Sequence, residues 1–367
     1  MKIIHVGSSS SPQKVDGVNT TIWLVSREQS LLGHQVTLLI DSPPDLSAQE
    51  FALNSGINLA YIPANSIRYN PEALKTLLGS TSPEIVHLHS IFLPKQATLC
   101  QILLKNKISY IITPNAISPQ LFKRGKLKKF LYSGLVEKSR FRKASGLTAV
   151  TPREEKQIRQ YIPKYEGKVR CIPNPIDLSE LSQDSWQANT KSKKIVYLGR
   201  YDVLHKGIDI LIKIASFLPD NIEVHLYGTQ DFKTQDWFNQ LKKNLPSNVF
   251  IHGPVFGSMK VKVLTEASLY IQTSRWEVFG ISIAEAMYLG VPCAVTSTVN
   301  LSEVFQQHDL GCVLSSDPQQ AAIQLSGVLD NPDQLHRWSQ QSKLYAKEHF
   351  QARIVAESFV NFYQEVI

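Results

Sequence analysis

Two glutamates eight residues apart form the most specific chemical pattern in this sequence. They stand in Ser274-Arg275-Trp276-Glu277-Val278-Phe279-Gly280-Ile281-Ser282-Ile283-Ala284-Glu285-Ala286-Met287, with Phe279-Gly280 between them. Ile281 to Leu289 reads as a helix that Gly290 and Pro292 end. Glu277 then falls in the loop before the helix and Glu285 within it. A carboxylate accepts from two neighbouring hydroxyls at once, and first-turn N–H groups between the two acids can hold polar sugar or phosphate groups. A solvated acidic helix start, favoured by the helix dipole, is the competing reading. A second pattern is Gly199-Arg200-Tyr201-Asp202-Val203-Leu204-His205-Lys206-Gly207, between an expected strand and an expected helix. Two cations in such a loop can clamp a diphosphate and neutralise charge that grows on a leaving group, although two surface cations on a loop are also common. In Val15-Asp16-Gly17-Val18-Asn19-Thr20, Gly17 has no side chain, so a phosphate or sugar can approach its backbone; a plain turn explains it equally well. No G-x-G-x-x-G occurs, which speaks against a dinucleotide dehydrogenase.

Two runs of strand–helix alternation must position these residues. The first starts at Lys2–Gly7 and continues with a helix at Thr20 to Leu32 and a strand at Gln35–Ile40. Further strands are expected at Ile85–Leu88, Tyr110–Ile112 and Gly146–Val150. The second starts at Lys194–Gly199, with a helix at Gly207 to Leu218 and strands at Ile222–Tyr227, Val249–Ile251, Leu269–Ile271 and Cys293–Val295. Short apolar strands between amphipathic helices predict α/β architecture with two Rossmann-like, doubly wound parallel sheets. The runs meet at Cys171-Ile172-Pro173-Asn174-Pro175-Ile176-Asp177, where two prolines stiffen the chain, and a polar loop is expected from Ser182 to Lys193. The expected domains are 1–173, with a C-terminal helix at about 350–367 packing back on it, and 174–349. Ligands of open α/β sheets sit beyond the C-terminal strand ends, so the expected site is a cleft faced by both sheets.

The bulk numbers agree with an ordinary globular protein. The chain has 367 residues, 43% of them hydrophobic and 19% charged, which suits two domains and argues against disorder. The four cysteines, Cys100, Cys171, Cys293 and Cys312, form no C-x-x-C pair and read as reduced and structural, with no metal site expected. No apolar run is long enough to span a bilayer, and the N-terminal run is too short for a signal peptide, so a cytoplasmic protein is expected. The net charge of +8 is uneven: residues 1–173 hold 23 Lys+Arg against 11 Asp+Glu, and the remainder is net acidic. An anionic partner is therefore expected at the first half. No nucleic-acid motif accompanies this charge, so nucleic acid is not an expected partner.

Taken together these motifs resemble the retaining glycosyltransferases of family four, which have the GT-B fold, over nearly the whole chain. Glu277 and Glu285 resemble the family's E-x7-E signature, and Arg200 and Lys206 fall where its diphosphate-binding Arg and Lys lie. Pro173-Asn174-Pro175-Ile176-Asp177 resembles its P-N-G-I/V-D linker, with proline in place of glycine. The resemblance implies a nucleotide-diphosphate sugar as donor, UDP-sugar favoured and GDP-mannose as the alternative. It implies that Glu285 binds the ribose and that Glu277, with the backbone N–H groups of Phe279 and Gly280 at the helix start before Ile281, binds the transferred sugar. Arg200 and Lys206 would hold the diphosphate, Gly17 would lie against the phosphates or sugar, and Gly228 and the Gly253-Pro254-Val255-Phe256 stretch would frame the base. It further implies front-side transfer with retention, no cofactor or metal, and closure about residues 173–177. Two departures stand out. In Thr113-Pro114-Asn115-Ala116-Ile117-Ser118-Pro119, Asn115 takes the place of a His or Arg and Ala116 that of a Gly, so no charged group acts there. Gly17 stands where many members have a Gly pair.

The segment 123–143 contains nine cations and one acid, and Phe130, Leu131, Leu135 and Val136 are spaced to share a helical stripe. It could lie on an anionic membrane at the inner face of the cell, bind a lipid-linked or polysaccharide acceptor, or pack its stripe on its own domain. His87 and His89 alternate at the end of a strand and could be ligands, acceptor contacts or strand-end packing. Two other functions compete with transfer: a nucleotide-sugar epimerase of the same architecture, and a non-catalytic glycan-binding protein.

Overall fold

The computed structural model describes residues 1–7, 10–14, 16–118, 126–177, 186–187 and 193–367. Residues 123–125 of the basic segment and most of the expected 182–193 loop lie outside the described residues, as do Val15, Pro119 and the side chains of 126–128. The chain forms two compact units, one of Met1–Pro175 with Ala352–Ile367, the other of Ile176–Gln351.

The first unit contains the strands β1 (Lys2–Val6), β2 (Gln35–Ile40), β3 (Asn58–Tyr61), β4 (Ile85–His89), β5 (Ser109–Thr113), β6 (Gly146–Ala149) and β7 (Lys168–Cys171). They form a parallel sheet in the order β3-β2-β1-β4-β5-β6-β7. Its helices are α1 (Gly17–Leu31), α2 (Leu46–Ser55), α3 (Pro71–Thr81), α4 (Pro94–Lys105), α5 (Lys126–Tyr132), α6 (Lys138–Arg142) and α7 (Pro152–Tyr161). The second unit contains β8 (Lys193–Leu198), β9 (Ile222–Tyr227), β10 (Val249–His252), β11 (Leu269–Gln272), β12 (Cys293–Thr296) and β13 (Gly311–Leu314), parallel in the order β10-β9-β8-β11-β12-β13. Its helices are α8 (Val203–Lys206), α9 (Ile208–Ala215), α10 (Gln235–Lys242), α11 (Gly257–Thr265), α12 (Ile281–Tyr288), α13 (Ser302–His308), α14 (Pro318–Leu329) and α15 (Pro332–His349). The last helix, α16 (Ala352–Val366), belongs to the first unit and buries Val355, Phe359, Phe362 and Tyr363 against Ile3, Val25, Ile85 and Ile111. In both sheets the strand order reverses at one point, between β1 and β4 and between β8 and β11, where ligands of open α/β sheets bind.

Local chemistry explains the elements. Strands β4, β11 and β12 are buried along their whole length, as a parallel sheet covered on both faces requires. Side chains of Asp16, Asp45, Asn70, Thr151, Asp317 and Asn331 accept from first-turn N–H groups of the helices that follow, and proline opens α3, α7, α14 and α15.

Three strands, β3, β7 and β13, have no apolar run strong enough to announce them. Each is four residues long and lies at a sheet edge; β3 and β7 are half exposed and β13 is partly buried, so none needs continuous apolarity. The helix expected from Gly207 to Leu218 is α9, which Gly207 starts at φ +66°; the single turn of α8 on the other side of that glycine has no counterpart in the sequence pattern. The basic segment is not one continuous α-helix. A π-helical turn, Ser133–Glu137, separates α5 from α6. Phe130, Leu131 and Leu135 are exposed rather than packed on their own unit.

Candidate active site

Lys206 and Glu277 come from loops at the C-terminal ends of β8 and β11, the neighbouring strands at the reversal of the second sheet. Asp202 caps α8 by accepting from the His205 N–H (2.9 Å), which sets Lys206 at the end of that short helix. The two loops are tied together. Arg275 pairs bidentately with Asp209 (2.7 and 2.8 Å) and donates to the Val203 carbonyl (2.8 Å). The Arg275 N–H donates to the His205 carbonyl, and the Thr273 hydroxyl to that of Gly207. Across this seam Lys206 Nζ donates to Glu277 Oε2, and the Ser274 hydroxyl donates to the same oxygen (3.2 Å). Burial pushes the Glu277 carboxyl up, but the Lys206 charge, the nearby His205 and the hydrogen bonds from Lys206 and Ser274 outweigh it and hold the group below its usual range. His205 is pulled down by burial and by Lys206, so its ring is neutral; it stacks on Trp276 at 4.6 Å.

Beyond Glu277 the chain turns through buried Phe279, which packs edge-on against Phe350, and through Gly280 at φ +84°. Gly280 starts α12 with no side-chain cap, in contrast to the capped helices above. Ile281 opens the helix and Glu285 lies on it, where Lys260 of α11 donates to Oε1 at 2.9 Å. Arg200 is more than half exposed and pairs with the buried Asp231 (2.8 Å) rather than with Glu277. Gly228 follows β9 and packs against the β8 loop so closely that a Cβ would stand 1.8 Å from the Gly199 carbonyl oxygen. Val255 is half-buried in the loop after β10. Asp231, Lys260 and Ser274 were not among the residues singled out. Ser274 carried a signal, three residues before Glu277, whereas Asp231 and Lys260 meet their partners only through the fold.

In the first unit, Gly17 is the exposed first residue of α1, and Asp16 already accepts from the N–H groups of Val18 (2.9 Å) and Asn19 (3.2 Å). Asn115 follows β5 at φ +56°, and its side-chain oxygen is buried without a hydrogen-bond partner. Its loop is tied down by the Glu154 carboxylate, which accepts from Ile117 N (3.2 Å) and Val150 N (2.9 Å).

His87 and His89 are fully buried. His87 bonds the Tyr363 hydroxyl (2.7 Å) and the Thr113 hydroxyl (2.6 Å), while His89 Nε2 meets His5 Nδ1 at 3.1 Å. His5 donates from Nε2 to Gln29 Oε1 (2.7 Å), so its Nδ1 accepts the His89 proton. The ring nitrogens of His5, His87 and His89 lie within 4.8 Å of one another, the one such metal-competent group among the described residues. Burial keeps all three rings neutral, His5 with a pKa near about 4.

The family model for Glycosyltransferase Family 4 matches residues 15–180, and that for Glycosyl transferases group 1 matches residues 179–345. The chain is a family-4-like glycosyltransferase of the GT-B fold. This glycosyltransferase is 22% identical over 320 residues to a phosphatidyl-myo-inositol mannosyltransferase of Mycolicibacterium smegmatis, covering 83% of this chain and 78% of the relative. Its fold is similar to that of sucrose-phosphate synthase from Thermosynechococcus elongatus, with a TM-score of 0.78, 16% identity and 99% and 98% of the two chains covered. It is also similar to HepE of Anabaena, solved in complex with UDP and glucose, with a TM-score of 0.72, 15% identity and 99% of each chain covered. These matches support transfer over the two alternatives, the epimerase and the non-catalytic binder.

Proposed function

We propose that this glycosyltransferase moves a hexosyl group from a nucleoside-diphosphate sugar to a hydroxyl of a lipid-linked or polysaccharide acceptor, with retention of anomeric configuration. The observation that carries this reading is the Lys206–Glu277 ion pair beside the start of α12, a helix without a side-chain cap. A ligand that is anionic at one end and polyhydroxylated at the other matches cations, carboxylates and free helix-start amides together. In this reading Arg200 and Lys206 hold the diphosphate. Glu277 and the amides of Phe279, Gly280 and Ile281 hold sugar hydroxyls, Glu285 takes the ribose, and Gly228 and Val255 frame the base. Gly17 is assigned to the sugar phosphate and Asn115 to the reacting groups. UDP-sugar is the favoured donor, in line with the UDP bound by the HepE relative; GDP-mannose is the alternative, in line with the mannosyltransferase relative.

The reaction breaks the bond between the sugar's anomeric carbon and the diphosphate oxygen, and the nucleoside diphosphate leaves with the bonding pair. The acceptor oxygen bonds the anomeric carbon on the same face, and its proton passes to the departing diphosphate. The protein orients both partners and stabilises charge, with Lys206 and Arg200 neutralising the leaving group and no metal required. No helix among the described residues is long and apolar enough to cross a membrane. The exposed Phe130, Leu131 and Leu135 beside Lys129 and Lys138 support peripheral docking on an anionic inner membrane face, where a lipid-linked acceptor resides.

A thermal-shift screen of UDP-glucose, GDP-mannose and ADP-glucose identifies the donor, because binding the folded state alone raises its melting temperature. Acceptor-dependent nucleotide release then measures transfer, and proton NMR of the product reads its anomeric configuration; an inverted product rejects the mechanism. Co-sedimentation with phosphatidylserine vesicles, but not with neutral ones, tests the docking surface.

A further inference from the structure

Strand β11 is buried on both faces, yet three consecutive residues of one face, counting into the loop that follows it, are polar: Tyr270, Gln272 and Ser274. All three are at most 1% exposed. The Tyr270 hydroxyl lies 2.7 Å from Gln272 Oε1 and 2.8 Å from the Ser282 hydroxyl, in the first turn of α12. Gln272 Nε2 donates to the Ser274 hydroxyl (2.7 Å), which meets Glu277 Oε2 (3.2 Å).

The protons in this chain have one consistent direction. Glu277 is paired with Lys206 and is an acceptor only, so Ser274 must donate to it. Ser274 then accepts from the Gln272 amide, Gln272 Oε1 accepts from Tyr270, and the Tyr270 hydroxyl shares its other contact with Ser282. A relay of three buried side chains, joined at its far end to the half-buried Ser282, thus runs from the start of α12 to the carboxylate before it. Buried polar chains are costly when any member lacks a partner, and apolar residues would fill a buried strand without that risk.

We infer that Tyr270 and Gln272 are positioning residues that aim the Glu277 carboxylate, through Ser274, from the same helix that carries Glu285. The inference rests on the donor-site reading above. Its consequence is that both carboxylates refer to one rigid element, so the separation between the groups that hold sugar and ribose is set by α12 rather than by the loop.

The test uses full-length protein with UDP and UDP-glucose, and with GDP and GDP-mannose as the second pair. Calorimetric titration measures binding, and donor turnover measures kcat and KM. Replacing Gln272→Met keeps the volume and severs the relay. Affinity for the free nucleotide is expected to stay within about twofold, while kcat on the sugar donor falls by about ten- to a hundredfold, the scale of a misplaced contact. Tyr270→Phe, a milder change that preserves packing, should shift kcat in the same direction by less, and the double variant should be no worse than Gln272→Met alone. Gln272→Glu supplies the decisive readout. A protonated glutamic acid can accept from Tyr270 and donate to Ser274, whereas its anion cannot donate, so this variant should recover activity as the pH falls and Gln272→Met should not.

The inference is overturned if both single variants keep full kcat, if free-nucleotide and sugar-donor binding weaken together, or if Gln272→Glu shows the pH profile of the unmodified protein. Glu277→Gln separates the two levels of the argument. If it retains full transfer, or if the unmodified protein binds neither nucleotide pair, the donor-site reading itself fails and takes the inference with it. If it abolishes transfer while the relay variants do not, only the positioning role is lost.

Discussion

Glu137→Gln should destabilise the first unit far more than a single surface charge would. Glu137 and Arg140 form an ion pair with side chains 0% and 1% exposed, at 2.5 Å. Glu137 Oε1 also accepts from the Phe92 N–H (3.0 Å), and Arg140 donates to Gln96 (2.8 Å) and to the Ser90 carbonyl (3.3 Å). Removing one partner leaves a buried guanidinium without its counter-charge, which costs about 3–5 kcal/mol. At about 2–4 °C per kcal/mol for a unit of this size, the melting temperature falls by roughly 6–20 °C. Calorimetry measures the shift, and hydrogen exchange of peptides from β4 and β5 assigns it to this unit. The pair is also incompletely satisfied: Glu137 Oε2 and Arg140 Nε have no hydrogen-bond partner. A Glu137→Leu/Arg140→Met double variant should therefore regain most of the lost stability, since apolar packing of similar volume replaces a buried pair at little cost. It should not regain the loop. Ser90 and Phe92 hold φ of +73° and +57°, and the pair secures both residues, so exchange across 90–93 should stay fast in the double variant. A drop of less than about 3 °C in Glu137→Gln, or a double variant as unstable as the single one, would refute this reasoning.

The histidine cluster makes the first unit acid-sensitive. The folded pKa values lie below the unfolded one, so His5, His87 and His89 cost nothing above about pH 6.5. Below it each removes up to about 1.4 kcal/mol of stability per pH unit, until the folded pKa is reached, near about 4 for His5. Urea denaturation between pH 7 and 4 reads this slope, and a flat profile would contradict it. Glu277 also has a depressed folded pKa, so its contribution is present above the ordinary carboxylate range and is lost as pH falls through the folded value. Glu277→Gln should flatten that acid limb in the second unit. Gly228→Ala places a Cβ against the Gly199 carbonyl, backbone that cannot swing aside, and should cost about 1–3 kcal/mol, with nucleotide binding lost before the fold in a titration with UDP.

Much of the fold was legible because parallel strands advertise themselves by apolar runs. Ile85–Leu88 and Cys293–Val295 are buried on both faces and read as strands from composition alone. Asn58–Tyr61 and Lys168–Cys171 were not legible, since an edge strand needs only partial apolarity. Gly207 does start a helix, α9, whereas the single turn of α8 before it is too short to leave a periodic pattern. The basic segment was legible in part: Phe130, Leu131 and Leu135 are exposed together, while the π-turn at Ser133–Glu137 interrupts the α-helical spacing that the pattern assumes.

The chemistry was legible by type and not by partner, and strand order is the reason. Lys206 and Glu277 are 71 positions apart in the chain. Had the strands of the second unit followed one another in sequence, β8 and β11 would stand three spacings apart, about 14 Å, and no lysine–glutamate pair would close the gap. The observed order makes them neighbours, and the pair follows. The same reversal in the first unit sets His5 of β1 in register with His87 of β4, which no local pattern announces. The relay behind Glu277 is different in kind. Tyr270, Gln272 and Ser274 alternate along a strand whose intervening residues, Ile271 and Thr273, are also buried. Polar residues at period two in a buried strand are costly unless each finds a partner. Once the strand is seen to be buried on both faces, these polar groups demand hydrogen bonds, and the carboxylate at the end of the line is where the demand is met.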